Sequence, residues 1–346
     1  MAKRTTTTME PDFWGMARMY LHSYCPKVRG LSYKTADAYR ISLESFIAYL
    51  GECDGLFGPS ITFDAVDRSH LTGWAAWMAS ERGYSPKTIG LRLTAMRSFL
   101  AYCAAEDSTL RAVHQMSKDI KGPTPPKRPI EYLEDDEIAS LLAASAGSSS
   151  KSRRNRAMLI MLYESAARVS ELAGLTLGDV VVAKPAHITV TGKGNKTRVV
   201  PIGDKCVNHM KEYIAEFHPG RKPDQGRPLF YSLHGGIPCA LSVDAISRVL
   251  KQAGDKARET CPSIPESLHC HMVRKTRAMA LYKAGVPLPI IMQMLGHESM
   301  STTSSFYAFA TVDMMARAIA DAAPAIVSKN TGWLNEERMA VLYSLR

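Results

Sequence analysis

Six side chains beyond residue 160 of this 346-residue chain have the types that phosphodiester cleavage needs. Paired arginines can contact the non-bridging oxygens of a phosphate, a lysine can protonate a leaving oxygen, and a tyrosine can act as a covalent nucleophile. No group of Asp and Glu suited to two-metal catalysis accompanies them, so we interpret them as candidates for metal-free chemistry. The six residues are Arg168, Lys193, His271, Arg274, His297 and Tyr307.

These residues stand at the ends of predicted elements rather than on apolar faces. Arg168 comes just before Ser170, which is expected to cap the next helix, so its guanidinium would lie beside free backbone amides. His271 and Arg274 are three residues apart at the start of a helix and are expected to share a face. His297 follows a Leu-Gly pair that is typical of a helix end.

Each of these residues also has an ordinary structural interpretation when taken alone. Arg168 could be a solvated or paired charge, Lys193 a turn residue, and Tyr307 part of an aromatic core. His271 could be a buried histidine, and its pairing with His269 does not suit a metal because a helix points the two rings apart. The joint pattern, rather than any single residue, supports the functional interpretation.

Hydrophobic periodicity predicts a mainly helical chain with one small antiparallel sheet. The first half reads as a bundle of about four helices, one of which has Ser85 as its N-cap and Pro86 in its first turn. In the second half, the β-branched segment 187–202 predicts a hairpin with Lys193 at its tip. Helices are predicted near residues 12–24, 36–50, 68–82, 89–100, 133–142, 154–166, 204–217, 241–258, 271–284, 287–295 and 311–323.

A basic, proline-rich segment at residues 118–130 interrupts the helical pattern. Proline removes backbone donors and forces its neighbours to be extended, so we interpret this segment as a linker. It separates an N-terminal helical domain of residues 1–117 from a larger mixed α/β domain of residues 131–325. A C-terminal segment, residues 326–346, has an amphipathic helical pattern.

The charge balance favours a polyanionic partner. The net charge is +10, and the parts of the chain before and after residue 130 both contribute to it. Residues 1–129 have 17 basic and 12 acidic side chains, and residues 130–346 have 26 basic and 21 acidic side chains. No apolar run is long enough to span a membrane, and no secretion signal is visible. The seven cysteines are scattered without metal-ligand or disulfide-framework spacing, so a cytoplasmic protein is expected.

Four motifs resemble those of the tyrosine recombinase, or phage integrase, family, close to its Xer-type and transposon-integrase branch. They are ARVSEL around Arg168, TGKGNKTRVVPI around Lys193, HMVRKT around His271 and Arg274, and LGHESMSTTSSFY, which ends at Tyr307. The resemblance covers most of residues 12–323. It implies a SAM-like core-binding domain of helices followed by a mixed α/β catalytic domain.

The resemblance implies a role for each matched residue. Tyr307 would attack DNA to form a 3′-phosphotyrosyl bond, Arg168 and Arg274 would bind the phosphate, and Lys193 would protonate the leaving 5′ oxygen. The released 5′ hydroxyl would then attack the partner duplex. Because the phosphotyrosyl bond conserves the bond energy, the family needs no metal, ATP or other cofactor.

Further residues are expected to assist. His271 is implied as an acid–base assistant and His297 as a donor to the scissile phosphate, with Glu171 in a supporting role. Lys275 stands where many family members have histidine, and we expect it to be supporting rather than essential. The gap from His297 to Tyr307 is one residue longer than in the Xer branch.

The implied partner is double-stranded DNA with inverted half-sites, held between two basic domains. The protein would bind one site as a dimer and act as a tetramer on paired sites, with accessory directionality factors, and would associate with the nucleoid. Residues 326–346 would either pack as a terminal helix or be exchanged with a neighbouring protomer. Binding should weaken steeply with salt. The expected DNA contacts are Lys87, Arg92, Arg97 and Lys196.

Two alternatives remain open at this point. One is a DNA-binding or architectural protein of the same fold that has lost strand transfer. The other is an enzyme with the same chemistry and a different outcome, either a type IB topoisomerase-like or a telomere-resolving enzyme. The sequence specifies neither the target site nor whether the outcome is integration, excision, inversion or dimer resolution.

Overall fold

The computed structural model describes residues 12–126, 131–220 and 224–296, with only the backbone of Lys193. The chain divides into two compact units, Met1–Arg128 and Pro129–Arg346, and each has its own hydrophobic core. The predicted helix at 311–323 and the C-terminal segment at 326–346 lie outside the described residues.

The described part of the first unit is helical. The sequence predicts about four helices, and the structure has a further one, α5 (Arg111–Asp119). The sequence pattern did not indicate α5 because its apolar face is small and consists of the partly buried Val113 and Met116. Helix α5 continues to Asp119, and Ile120 is buried in the core, so the bundle extends into the segment interpreted as linker. The helices are α1 (Phe13–Met19) with a π-helical continuation (Tyr20–Val28), α2 (Tyr33–Asp54), α3 (Arg68–Ser80), α4 (Pro86–Glu106) and α5 (Arg111–Asp119).

The two longest helices of this unit, α2 and α4, begin in the same way. The side chain of Ser32 accepts a hydrogen bond from the backbone of Thr35, and that of Ser85 accepts one from the backbone of Thr88. Each serine therefore satisfies one of the free amides of a first turn. The predicted cap at Ser85, with Pro86 in the first turn, is confirmed.

The second unit combines helices with two small antiparallel sheets. Its described helices are α6 (Asp135–Ala144), α7 (Ser150–Ser165), α8 (Val169–Ala173), α9 (Asp204–Phe217), α10 (Val243–Ala257), α11 (Cys270–Lys283) and α12 (Leu288–Leu295). Helix α10 packs on α6, and α7 packs on both α9 and α11. The strands of this unit are β1 (Val180–Val181), β2 (His187–Thr191), β3 (Thr197–Pro201), β4 (Tyr231–His234) and β5 (Ile237–Ala240).

The hairpin predicted at 187–202 is confirmed. Strand β2 pairs with β3, with Val190 opposite Arg198, and Lys193 begins the short 3₁₀ turn between them. Strand β1 adds a third strand beside β2. A second hairpin, β4–β5, was not predicted, although the left-handed pair Gly235-Gly236 is a typical hairpin turn. The mainly helical fold with little antiparallel sheet is confirmed.

Helix α12 is the last described element, and it packs against α11 and β3. It begins after Pro287 and ends at Gly296, whose left-handed φ of +62° stops the helix. The described helices of the chain include none with the length and apolar character to cross a membrane.

Candidate active site

The carboxylate of Glu171 lies at the centre of an arginine cluster. Arg168 is the N-cap of α8, and it donates to Glu171 twice, from its backbone N–H (2.8 Å) and from Nη1 (2.7 Å). The expectation that Ser170 caps this helix is wrong, because Glu171 closes the first turn instead. The side chain of Glu171 is 3% exposed, whereas that of Arg168 is 42% exposed.

Arg198 on β3 contacts the same carboxylate with two nitrogens. Its Nη1 donates to Glu171 Oε1 at 3.0 Å and its Nη2 donates to Oε2 at 2.7 Å, while Nε donates to the carbonyl of Met294 at 2.8 Å. The side chain is 11% exposed. This two-point geometry is the strongest form of an arginine–carboxylate pair.

Arg274 on α11 is the most buried of the three arginines, with 3% of its side chain exposed. Its Nη1 donates to the carbonyl of Ala166 at 2.8 Å, and its Nη2 donates to the carbonyl of Leu295. These carbonyls end α7 and α12, so the guanidinium lies between the negative ends of two helix dipoles. Ala166 has a left-handed φ of +48°. Arg274 Nη1 also lies 3.9 Å from Glu171 Oε2.

The charges of this cluster shift its ionisation. Burial by itself raises the pKa of Glu171, but hydrogen bonds from Arg198 and Arg168 outweigh burial and lower the pKa to about 2. Burial, together with the charge of Arg168, lowers the pKa of Arg274 to about 9, which leaves it cationic at neutral pH. Three guanidinium groups therefore face one ionised carboxylate, and the cluster carries an excess of positive charge.

The three arginines meet at the carboxyl end of α12. The carbonyls of Met294 and Leu295 accept hydrogen bonds from Arg198 and Arg274, and the carbonyl of Gly296 lies 3.4 Å from Nη2 of Arg168. A β-carbon at Gly296 would lie 3.1 Å from Nη1 of Arg198, so this position needs glycine for close approach as well as for its φ.

His271 stands on α11, one turn before Arg274, and its side chain is exposed. Partial desolvation, followed by the charges of Lys275 and Arg274, lowers the pKa of His271 to about 4. The imidazole is therefore neutral at pH 7 and can accept a proton. Lys275 is partly exposed on the same helix.

Three of the six predicted residues are not described at the level of their side chains. Lys193 lies in the β2–β3 turn as predicted, by its backbone alone. His297 and Tyr307 lie outside the described residues. Gly296, the residue before His297, is in contact with Arg168. The structure thus brings together Arg168, Glu171 and Arg274 beside Gly296, the residue directly before His297.

The residues expected to contact DNA differ in their surroundings. Lys87 and Lys196 are exposed. Arg92 donates to the carbonyl of Ile41 at 2.9 Å and stacks over the ring of Tyr84. Arg97 donates from Nε to the carbonyl of Ser117 at 3.1 Å and from Nη2 to that of Ile120. Both arginines therefore stabilise the bundle itself, and their contact with DNA stays a prediction.

Arg198 was missed by the sequence analysis, although it belongs to the TGKGNKTRVVPI motif. A signal was present, because Arg198 and Val200 share one face of β3 and Val200 is fully buried. A cation on the core-facing side of a strand needs a buried partner. The partner itself, Glu171, could not be read from local pattern because it lies in another element.

Among the described residues, no three His, Cys, Asp or Glu side chains come together in an arrangement that could hold a metal ion. The described part of the cluster holds positive charge through arginine alone. The arginine cluster can therefore bind an anion, and the planar guanidinium groups match the geometry of phosphate oxygens.

Comparisons with known proteins identify the family of the chain. Residues 131–312 match the model of the phage integrase family, and residues 20–107 match that of the phage integrase N-terminal SAM-like domain. The chain is 31% identical to tyrosine recombinase XerD of Staphylococcus saprophyticus over 284 residues, which covers 80% of this chain and 88% of the relative. It is also 31% identical to the putative integrase/recombinase y4rC of Sinorhizobium fredii, over 76% of this chain and 77% of the relative.

Two solved structures share the fold. The Tn1549 transposon integrase in complex with transposon right end DNA has a TM-score of 0.64 at 21% identity, covering 89% of this chain and 99% of that one. The XerH recombinase bound to a palindromic difH substrate has a TM-score of 0.65 at 20% identity, covering 86% and 83%. From its family matches and its 31% identical relatives, this chain belongs to the phage integrase family of tyrosine recombinases.

Proposed function

We propose that this protein is a site-specific DNA recombinase that cleaves and rejoins strands through a covalent 3′-phosphotyrosyl bond to Tyr307, without metal or ATP. One observation carries the proposal. Arg168 and Arg274 come from distant parts of the sequence, and they contact Gly296 and Leu295 respectively, the two residues directly before His297. Two phosphate-binding candidates therefore converge where the motif containing His297 and Tyr307 begins.

The charge of the cluster suits the reaction. Three guanidinium groups outweigh the single carboxylate of Glu171, so the cluster favours an added anion such as the scissile phosphate. Positive charge fixed in place before the reaction stabilises the additional negative charge of the transition state at no reorganisation cost. Arginine thus supplies the charge stabilisation that metal ions supply in other phosphoryl-transfer enzymes.

The proposed chemistry is a balanced exchange of phosphate esters. The phenolic oxygen of Tyr307 attacks phosphorus, the bond to the 5′ oxygen breaks, and Lys193 gives a proton to that oxygen. The phenolic proton passes to a base, and we propose His271 for this role because its ring is neutral at pH 7. The 5′ hydroxyl of a partner strand then attacks the phosphotyrosyl bond and releases Tyr307.

The proposed partner is double-stranded DNA with inverted half-sites, bound by a dimer and recombined by a tetramer. The XerH and Tn1549 integrase structures are DNA complexes, which supports DNA as the partner here. The net charge of +10 supports it as well. The proposed core-binding domain extends to residue 120, because α5 and Ile120 belong to its bundle. The proposed linker is then 121–130, and we retain 131–325 as the catalytic domain and 326–346 as the C-terminal segment.

The test is formation of a covalent adduct on a suicide substrate. Tyr307→Phe protein would first select bound duplexes from a random DNA pool, and the selected site would be rebuilt with a nick beside the scissile phosphate. With EDTA present and ATP absent, we expect wild-type protein to form an adduct that survives SDS. Tyr307→Phe should form none, and Tyr33→Phe, which changes an exposed tyrosine of the first unit, should match wild type.

Other outcomes would select an alternative. An adduct that persists in Tyr307→Phe would contradict the assignment of the nucleophile. Salt-sensitive binding of the selected duplex without any adduct would favour a DNA-binding protein that has lost strand transfer. Adduct formation and relaxation of supercoiled DNA, with no joining of strands between two sites, would favour a topoisomerase-like enzyme.

A further inference from the structure

Arg198 uses its guanidinium entirely within the protein. Its three nitrogens donate to Glu171 Oε1, Glu171 Oε2 and the carbonyl of Met294, at 3.0, 2.7 and 2.8 Å. Only 11% of its side chain is exposed. A guanidinium that is committed in this way is poorly placed to bind a substrate phosphate, in contrast to the half-exposed Arg168.

The position of Arg198 matters because Glu171 has other cations within reach. Arg168 donates to Oε1 at 2.7 Å, and Arg274 Nη1 lies 3.9 Å from Oε2. A buried carboxylate without a strong partner is costly, so it moves toward the nearest positive charge. If Arg198 were absent, Arg168 and Arg274 would be the cations that Glu171 could draw on.

We propose that Arg198 is a positioning residue for strand cleavage, which holds and neutralises Glu171 so that the carboxylate competes less with the scissile phosphate for Arg168 and Arg274. This inference rests on the proposed function. Two roles of Arg198 can be distinguished. In the first, which we propose, Arg198 acts by neutralising the charge of Glu171; in the second, it acts only by its hydrogen bond to the end of α12.

The two roles make different predictions for a double-mutant cycle. Arg198→Met removes the guanidinium, and we expect it to lower the rate of adduct formation at saturating DNA by about 10- to 100-fold. Glu171→Gln removes the competing charge while it keeps a similar shape. In the Arg198→Met, Glu171→Gln double variant, we expect the rate to recover by about tenfold or more from that of Arg198→Met.

The matched control is Arg154, a partly buried arginine of the same unit. Its Nη1 donates to the carbonyl of Tyr231 at 3.0 Å, and its other contacts are to Asn155, so it caps a carbonyl without pairing with a carboxylate. Arg154→Met should not be rescued by Glu171→Gln. Circular dichroism and urea unfolding would be measured for every variant, together with DNA affinity on the same duplex.

Arg198→Lys provides a second variant because it keeps the charge and loses the two-point contact. We expect its rate to lie between those of wild type and Arg198→Met. If Arg198→Met unfolds and the double variant folds, the rate of the double variant decides: a rate near that of Glu171→Gln alone supports the inference, and a rate at least tenfold lower contradicts it. If the effects on rate are additive, or if Arg198→Lys, which keeps a positive charge beside Glu171, cleaves no faster than Arg198→Met, the inference is wrong. If Arg198→Met does not fold with either residue at 171, a lowered rate of Arg198→Lys that Glu171→Gln fails to raise also overturns it. Failure of wild-type protein to form any adduct would instead overturn the proposed function.

Discussion

Arginine side chains close the carboxyl ends of two helices, α5 in the first unit and α12 in the second, in different ways. At α5 a single arginine, Arg97, donates to the carbonyls of Ser117 and Ile120, and it has no acidic partner among the described residues. At α12 three arginines donate to three successive carbonyls, and all three also face the carboxylate of Glu171.

The difference gives a criterion for separating a structural arginine from one that we propose to bind phosphate. Helix ends leave carbonyls that need donors, and a guanidinium supplies them with favourable dipole interaction. One arginine is enough for that purpose at α5. At α12 the surplus of positive charge exceeds what the helix end requires, which indicates that an additional anion belongs there. Four predictions test this distinction.

The largest effect is expected for Arg274→Ala. Loss of a buried, preorganised donor should lower the rate of adduct formation by about 10²- to 10³-fold. The carbonyls of Ala166 and Leu295 also lose their donor, so the free energy of unfolding should fall by about 3 kcal/mol. Rate, urea unfolding and DNA affinity would be measured together. Retained binding with lost cleavage supports a catalytic role, whereas loss of folding alone would make Arg274 as purely structural as Arg97.

Acidification should remove a stabilising contribution of Glu171. Its pKa is lowered to about 2 in the folded protein, so the contribution is fully present above the ordinary pKa near 4.5 and is lost as pH falls toward 2. The full contribution is about 3 kcal/mol. In urea unfolding, wild type should exceed Glu171→Gln by most of that amount at pH 7, and the gap should narrow from pH 4.5 to pH 3. A constant gap would contradict the electrostatic interpretation.

Arg97→Met should act on stability rather than on chemistry. Two carbonyls at the end of α5 lose their donor, so the free energy of unfolding should fall by about 1 to 3 kcal/mol. The rate at saturating DNA should stay at the wild-type value. The salt dependence of binding supplies the second measurement, because loss of a phosphate contact would lower its slope by about one. A lower slope would show that Arg97 serves DNA as well as the bundle.

The smallest effect concerns pH and His271. Because the pKa of His271 is lowered to about 4, its protonation should not alter the rate of adduct formation between pH 5.5 and pH 8. The pH–rate profiles of wild type and His271→Gln should therefore have the same shape across that range, whatever their absolute rates. An inflection near pH 6.5 that is present in wild type and absent in the variant would contradict this environment for the ring.

Local signals in the sequence predicted much of the fold. Ser85 and Pro86 mark the start of α4, and alternating β-branched residues mark β2 and β3, because caps and strand alternation depend on neighbouring residues only. The β4–β5 hairpin was missed despite its Gly235-Gly236 turn. Helix α5 was missed because most of its residues are polar.

The sequence indicated which residues to consider for the candidate site, but it did not indicate which of them contact one another. Arg168 and Arg274 were recognised through motifs, but their meeting at Leu295 and Gly296 depends on tertiary packing. Ser170 was chosen as a cap by residue preference, whereas the structure uses Glu171, which also serves Arg198. A carboxylate shared among distant arginines leaves no local pattern.

The end of α12 is attached at three successive carbonyls, those of Met294, Leu295 and Gly296. Successive carbonyls point in different directions around a helix axis. Rotation of the helix about its axis, or sliding along it, must therefore break at least one of these attachments. Three contacts of this kind hold the carboxyl end of α12, up to Gly296, in one position and one orientation without requiring a large buried surface.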